Sequence, residues 1–173
     1  VDCSSSMEGE KIEAARGAIR TFLDFLHFRG EGTGDGAAIV SFNREAQVVQ
    51  ALTWRRAWLD AALDGLRTQP GTRIDLGMAA ALEHLSGLER SYDRLPVVVL
   101  LSDGRQDETD LVRAQGQRAR QMGVEVFTIG LGEDVDAEVL RELATDGGHA
   151  YLAPTAEELR GIYEAVARAI PCR

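Results

Sequence analysis

The first residues of the chain that could do chemistry are Asp2, Ser4 and Ser6, a carboxylate and two hydroxyls at every second position of Asp2-Cys3-Ser4-Ser5-Ser6. That spacing suits one tight loop gripping a hard cation, and an all-oxygen set favours Mg²⁺, Mn²⁺ or Ca²⁺ over zinc or copper. Asp and Ser also cap helices and make turns, so the stretch gains weight only from two later pieces. These are Gly71-Thr72, in a loop opened by Pro70, and Ser102-Asp103-Gly104, directly after the apolar run Pro96 to Leu101.

The elements that must position these groups are written as alternating periodicities. Helical spacing of apolar residues runs from Glu8 to Phe28 through Ile12, Ala15, Ile19, Phe22, Leu23 and Leu26, with Glu8 and Glu10 suited to the positive end of a helix. Arg29 to Gly36 is glycine-rich, but it leads from a helix into a strand. A phosphate cradle needs the reverse order, so nucleotide binding is not expected. Ala37 to Phe42 and Ala46 to Leu52, three residues apart, predict an antiparallel hairpin whose second strand, with Gln47 and Gln50, forms a sheet edge. Trp54, Trp58, Leu59, Ala62, Leu63 and Leu66 predict an amphipathic helix with the tryptophans as core anchors, and Asp75 to Leu88 is helical again.

Val97 to Leu101 is five consecutive aliphatic residues, the pattern of a parallel strand covered on both faces. A helix to Met122, a strand at Val124 to Ile129, a loop at Gly130 to Asp134, a short helix through Val139, Leu140 and Leu143, a strand at His149 to Ala153 and a helix from Glu157 to Ile170 complete the alternation. The expectation is an α/β fold, a doubly wound, mostly parallel six-stranded sheet with one antiparallel edge strand and helices on both faces. Ligands of such sheets bind beyond the carboxyl ends of the strands, where Asp2 and Asp103 are expected to stand. A strand ending at Asp2 needs about five residues before it, so the first strand is expected largely upstream of Val1, in a longer protein.

The chain of 173 residues is expected to form one domain, residues 1–173. Its net charge of −9 and lack of a basic cluster make nucleic acid and anionic membrane poor partners. No apolar run is long enough for a membrane span. Cys3 and Cys172 are expected at opposite ends of the fold and unbridged. His27 and His84 fall in predicted helices and His149 opens a strand, none with a second ligand at zinc spacing. Phosphoryl transfer would need a nucleophilic carboxylate or a phosphate-binding lysine near the metal, and the one lysine, Lys11, is in the first predicted helix. No Gly-x-Ser-x-Gly elbow is present. Catalysis, including a Mg²⁺-dependent hydrolase, is therefore the weaker class. Eighteen arginines to one lysine give the composition of a GC-rich bacterial genome.

Asp2, Ser4, Ser6, Thr72 and Asp103, taken in this order, resemble the metal-ion-dependent adhesion site of the von Willebrand factor type A domain, the module of integrin I domains and many bacterial proteins. The resemblance covers essentially the whole chain. It departs at Ser5, where the family commonly has glycine. It implies that Ser4, Ser6 and Thr72 bind the ion directly, that Asp2 and Asp103 act largely through water, and that a partner protein's Asp or Glu completes the sphere. It also implies a switch of affinity through the last helix. Two settings follow: extracytoplasmic adhesion or surface assembly, which a C-terminal helix followed by Ile-Pro-Cys favours, and an intracellular adaptor of an ATPase or chelatase complex. The charged residues Arg73, Asp75, Arg105, Asp107, Glu108, Glu133 and Asp134 are expected at the rim, most of them simply solvated and some able to select the partner.

Overall fold

The computed structural model describes residues 1–30, 33–87, 95–104, 106 and 109–170. Its strands are β1 (Ala37–Phe42), β2 (Ala46–Thr53), β3 (Val97–Ser102), β4 (Glu125–Leu131) and β5 (Ala150–Ala153). Its helices are α1 (Glu10–Asp24), α2 (Arg56–Gly65), α3 (Ile74–Ser86), α4 (Thr109–Gln121), α5 (Ala137–Leu143) and α6 (Ala156–Ala169). A 3₁₀ turn at Ser5–Met7 precedes α1.

Among the described residues the strands form two sheets rather than one of six. β1 and β2 make the antiparallel hairpin, and β3, β4 and β5 are parallel in that order. Between the two sheets lies the start of the chain. Phe42 N donates to Val1 O at 3.0 Å and Cys3 N to Phe42 O at 2.7 Å, while on the other side Asp2 N donates to Leu101 O at 2.9 Å. Asp2 and Phe42 form a parallel bridge. Asp2 therefore stands beside the carboxyl ends of both β1 and β3.

Both faces of the sheets are covered, as the aliphatic runs require. Residues adjacent in a strand point to opposite faces, so Leu101 and Phe127 enter one core while Leu100 and Val126 enter the other. The first core is closed by α1, α2 and α6, through Ile12, Ile19, Leu59, Leu63, Leu159 and Tyr163. The second is closed by α3, α4 and α5, through Met78, Leu82, Val112 and Leu140. Each fully buried leucine contributes about 2 kcal/mol of hydrophobic stabilisation before entropy is subtracted. Burial raises the Tyr163 hydroxyl well above the ordinary phenol range.

Three local expectations are corrected. Trp58 is no core anchor: it is 52% exposed, because Leu59 and Leu63 take the inward stripe of α2, and the Arg55 guanidinium lies 4.8 Å from its ring centroid. Trp54 precedes that helix and is half-buried. His27 lies beyond α1, which ends at Asp24. There Asp35 Oδ2 accepts from His27 N at 2.8 Å and Asp35 N donates to His27 O at 3.0 Å, so a loop pairing replaces further helical turns. Leu88, Arg105, Asp107, Glu108 and Cys172 lie outside the described residues. Among the described residues no helix is long and apolar enough to cross a membrane.

Candidate functional site

Asp2 leaves the seam between β1 and β3 with its side chain turned into the protein, and the residue is fully buried. Its carboxylate accepts from Ser4 N at 2.8 Å through Oδ1 and from the Ser102 hydroxyl at 2.6 Å through Oδ2. The first bond closes a turn that lifts Ser4 above the strand ends. The second ties the loop to the end of β3. Burial nevertheless pushes the Asp2 carboxyl above its usual range, because desolvation outweighs those bonds. A cation nearby would act in the opposite sense.

The Ser4 hydroxyl lies 2.8 Å from that of Ser6, and Asp103 Oδ1 accepts from Ser6 at 2.7 Å and from Ser4 at 3.5 Å. Lys11, on the first turn of α1, forms an ion pair with Asp103 Oδ2. Ser6, Lys11, Asp103 and Gly104 line a cavity of about 450 Å³, together with Asp134. Ser5 sits on the exposed outside of the 3₁₀ turn, and no described residue other than glycine has a positive φ. The departure from glycine at this position thus introduces no strain.

Thr72 reaches the same place from the loop before α3. Gly71 has φ +100° and packs so closely on Arg44 that a Cβ there would lie 2.9 Å from Arg44 N, so only glycine allows this approach. The loop is pinned at both ends: Gln69 N donates to Cys3 O at 2.8 Å and Arg73 N to Asn43 O at 2.7 Å. Thr72 packs against Gly104, where a Cβ would lie 3.3 Å from Thr72 Oγ1 and 3.2 Å from Cγ2. The absence of a side chain at residue 104 lets the two loops meet.

A second contact joins these loops behind the hydroxyls. Asp75 N donates to Gln106 Oε1 at 3.1 Å and Gln106 Nε2 donates to Asp75 Oδ1 at 2.6 Å, while Arg73 Nε and Nη2 hold both oxygens of Asp75 at 2.8 and 2.7 Å. Asp75 and Gln106 are buried. The Arg73 guanidinium holds the Asp75 carboxyl below the usual carboxylate range, with Gln106 adding to the effect.

All five residues of the motif are thus brought to one end of the sheets. Glu133 and Asp134 are exposed there, and Arg73 faces Asp75. Sequence reasoning did not assign Ser102, Lys11 or Gln106 to the site. Ser102 alternates with Leu101 at a strand end, where its side chain must face opposite to its neighbour. Lys11 and Gln106 act only through partners distant in the chain.

The donor set fits a hard divalent cation. The Ser4 and Ser6 hydroxyls meet Asp103, Thr72 packs on Gly104 next to it, Asp2 holds Ser4 from below, and a cationic group, the Lys11 ammonium, already rests on Asp103. Among the described residues no three His, Cys, Asp or Glu side chains form a metal-ligating group. Hydroxyl oxygens would therefore have to carry the coordination, as Ser4, Ser6 and Thr72 could.

Known proteins share this fold. A protein of the UPF0353 group from Nocardia farcinica is 28% identical over 204 residues, an alignment covering 95% of this chain and 59% of that protein. Among solved structures, proximal thread matrix protein 1 from the mussel byssus, with a zinc-occupied metal-ion-dependent adhesion site, superposes with a TM-score of 0.85 at 20% identity, over 97% of this chain and 43% of that one. The von Willebrand factor domain of the type V pili tip protein Mfa5 from Porphyromonas gingivalis gives a TM-score of 0.81 at 17% identity, over 98% of this chain and 92% of that one. The chain spans 59% of the Nocardia relative's length. The sequence profile of the von Willebrand factor type A domain matches residues 1–165, and the chain belongs to that family.

Proposed function

We propose that this domain is a divalent-cation-dependent protein-binding module, in which Asp2, Ser4, Ser6, Thr72 and Asp103 hold the ion and an Asp or Glu of a partner protein binds to it. The observation that carries the reading is the convergence of the Ser4 and Ser6 hydroxyls on Asp103 beside a cationic group, at the end of the sheets. Ser4, Ser6 and Thr72 are the direct ligands. Asp2 holds Ser4 in place through its backbone N–H, and Asp103 orients the two serine hydroxyls. A divalent cation held mainly by neutral hydroxyls stays electrophilic and supplies a coordination position for a carboxylate. We take Mg²⁺ as the natural ion; the zinc in the mussel protein's site supports only the broader choice of a divalent metal.

Lys11 stands at the site after all, on Asp103, contrary to the expectation from its place in the first helix. Binding is preferred over catalysis because, among the described residues, Ser4, Ser6 and both aspartates are engaged in hydrogen bonds within the site or with Lys11. An extracytoplasmic setting is favoured by the likeness to a pilus tip protein. Residues 1–173 are taken as one module, with Val1–Cys3 hydrogen-bonded to the ends of both β1 and β3.

Calorimetric titration of the metal-stripped domain with Mg²⁺, Mn²⁺, Ca²⁺ and Zn²⁺ tests the reading, against a Thr72→Ala, Asp103→Ala double variant. One ion per chain, lost in the variant, is the expected result. A folded domain that takes up none of the four would leave the hydroxyls as turn formers and end the proposal.

A further inference from the structure

The position of Lys11 runs against local preference. It is the second residue of α1, where the positive end of the helix dipole disfavours a cation. Its partner compensates: the Asp103 side chain is fully buried while the lysine is 38% exposed, and the two form an ion pair across 92 residues of sequence. Both Asp103 oxygens are then engaged, Oδ1 by the serine hydroxyls and Oδ2 by the ammonium. Among the described residues, Asp134 is the other charged group lining the cavity, and Asp2 is buried beneath the loop. Among the described residues that line the cavity, Lys11 is the cation that meets Asp103. The four-carbon stem of the lysine is flexible and half in solvent, so the ammonium can leave Asp103 without disturbing either core.

We infer that Lys11 is a tethered counter-cation that competes with the divalent ion for Asp103 and so sets the affinity of the site. This rests on the metal-binding reading. With no divalent ion present, the ammonium neutralises the carboxylate and keeps the Asp2–Ser6 loop folded against β3. Uptake of the ion must displace that ammonium or be repelled by it, so lysine lowers metal affinity in either case. The same contact makes the metal-free domain more stable than an uncharged side chain would.

The test compares Lys11→Met and Lys11→Arg with the unsubstituted domain, by calorimetric titration with Mg²⁺ and Mn²⁺ and by thermal unfolding with and without metal. Removing a like charge a few ångströms from the ion is expected to tighten binding about fivefold at low ionic strength, with the gain shrinking as salt is added. Lys11→Met should also unfold at a lower temperature when metal-free and recover at saturating metal. Lys11→Arg keeps the charge and should bind as the unsubstituted domain does. Equal or weaker binding by folded Lys11→Met, with the unsubstituted domain binding normally, would overturn the competition alone. Loss of all binding in both folded proteins would overturn the metal reading and this inference together.

Discussion

Asp2 and Asp103 stand within one loop system and do opposite work. Asp2 is fully buried and accepts from the Ser4 backbone N–H and from the buried Ser102 hydroxyl. Asp103 is bound to three groups that can rotate away, the hydroxyls of Ser4 and Ser6 and the ammonium of Lys11. The difference teaches that one carboxylate builds the loop while the other is exchangeable. A motif that gives both aspartates the same role through water hides this division.

The sharpest way to break the comparison is to truncate each carboxylate in turn. Asp2→Ala leaves two buried donors without partners and should cost about 3 kcal/mol of metal-free stability in urea unfolding. Asp103→Ala removes a buried carboxylate, but its partners, the partly exposed Lys11 ammonium and two hydroxyls, can turn to water or to one another, so it should cost less, about 1–2 kcal/mol. The reverse ranking would make Asp103 the structural member. Asp2→Asn separates charge from shape: because burial penalises the Asp2 carboxylate, the amide should leave metal-free stability within about 1 kcal/mol of the original while metal uptake is lost.

Gln106→Ala addresses the clamp behind the hydroxyls. It should lower stability by about 1–2 kcal/mol and weaken metal binding about tenfold, without removing a ligand. A variant that loses stability but keeps full affinity would show that the Thr72 and Asp103 loops are aligned by other contacts. Acid titration bears on the same clamp. Asp75 has a folded pKa below its unfolded value near 3.9, so its contribution is fully present above that pH and is lost as pH falls through the folded value. Asp75→Asn should therefore flatten the fall in stability below about pH 4, read as a smaller change in unfolding midpoint between pH 5 and pH 3. The smallest effect is expected at Ser5, exposed and in ordinary backbone. Ser5→Gly should change metal affinity negligibly and cost about 0.5 kcal/mol through the freer unfolded chain.

Much of this was legible in the sequence. The alternation of aliphatic runs with helical stripes gave the α/β order, and the hairpin followed from a three-residue connection. The five motif positions could be named because each occupies a strand end or a loop that the periodicities bracket. Two kinds of information were not legible. Trp58 shares a helix with Leu59 and Leu63, and only the packed structure decides which residues of a broad apolar stripe face inward. Lys11 and Gln106 take their roles from partners 92 and 31 residues away, a separation over which local pattern carries no signal. The seam through Asp2 was expected as a full strand, but the pairing seen there is a single bridge with bonds to both neighbours.

The single lysine has a practical consequence for handling the protein. Its side chain carries the one ε-amino group among the 173 residues. Reagents that couple proteins to dyes, beads or sensor surfaces through lysine amines would attach at the mouth of the cavity and block the group they are meant to report on. Attachment through an engineered cysteine or an appended affinity tag keeps that mouth open. Conversely, the rate at which a small amine-reactive probe labels Lys11 is itself a gauge of whether Asp103 still holds it.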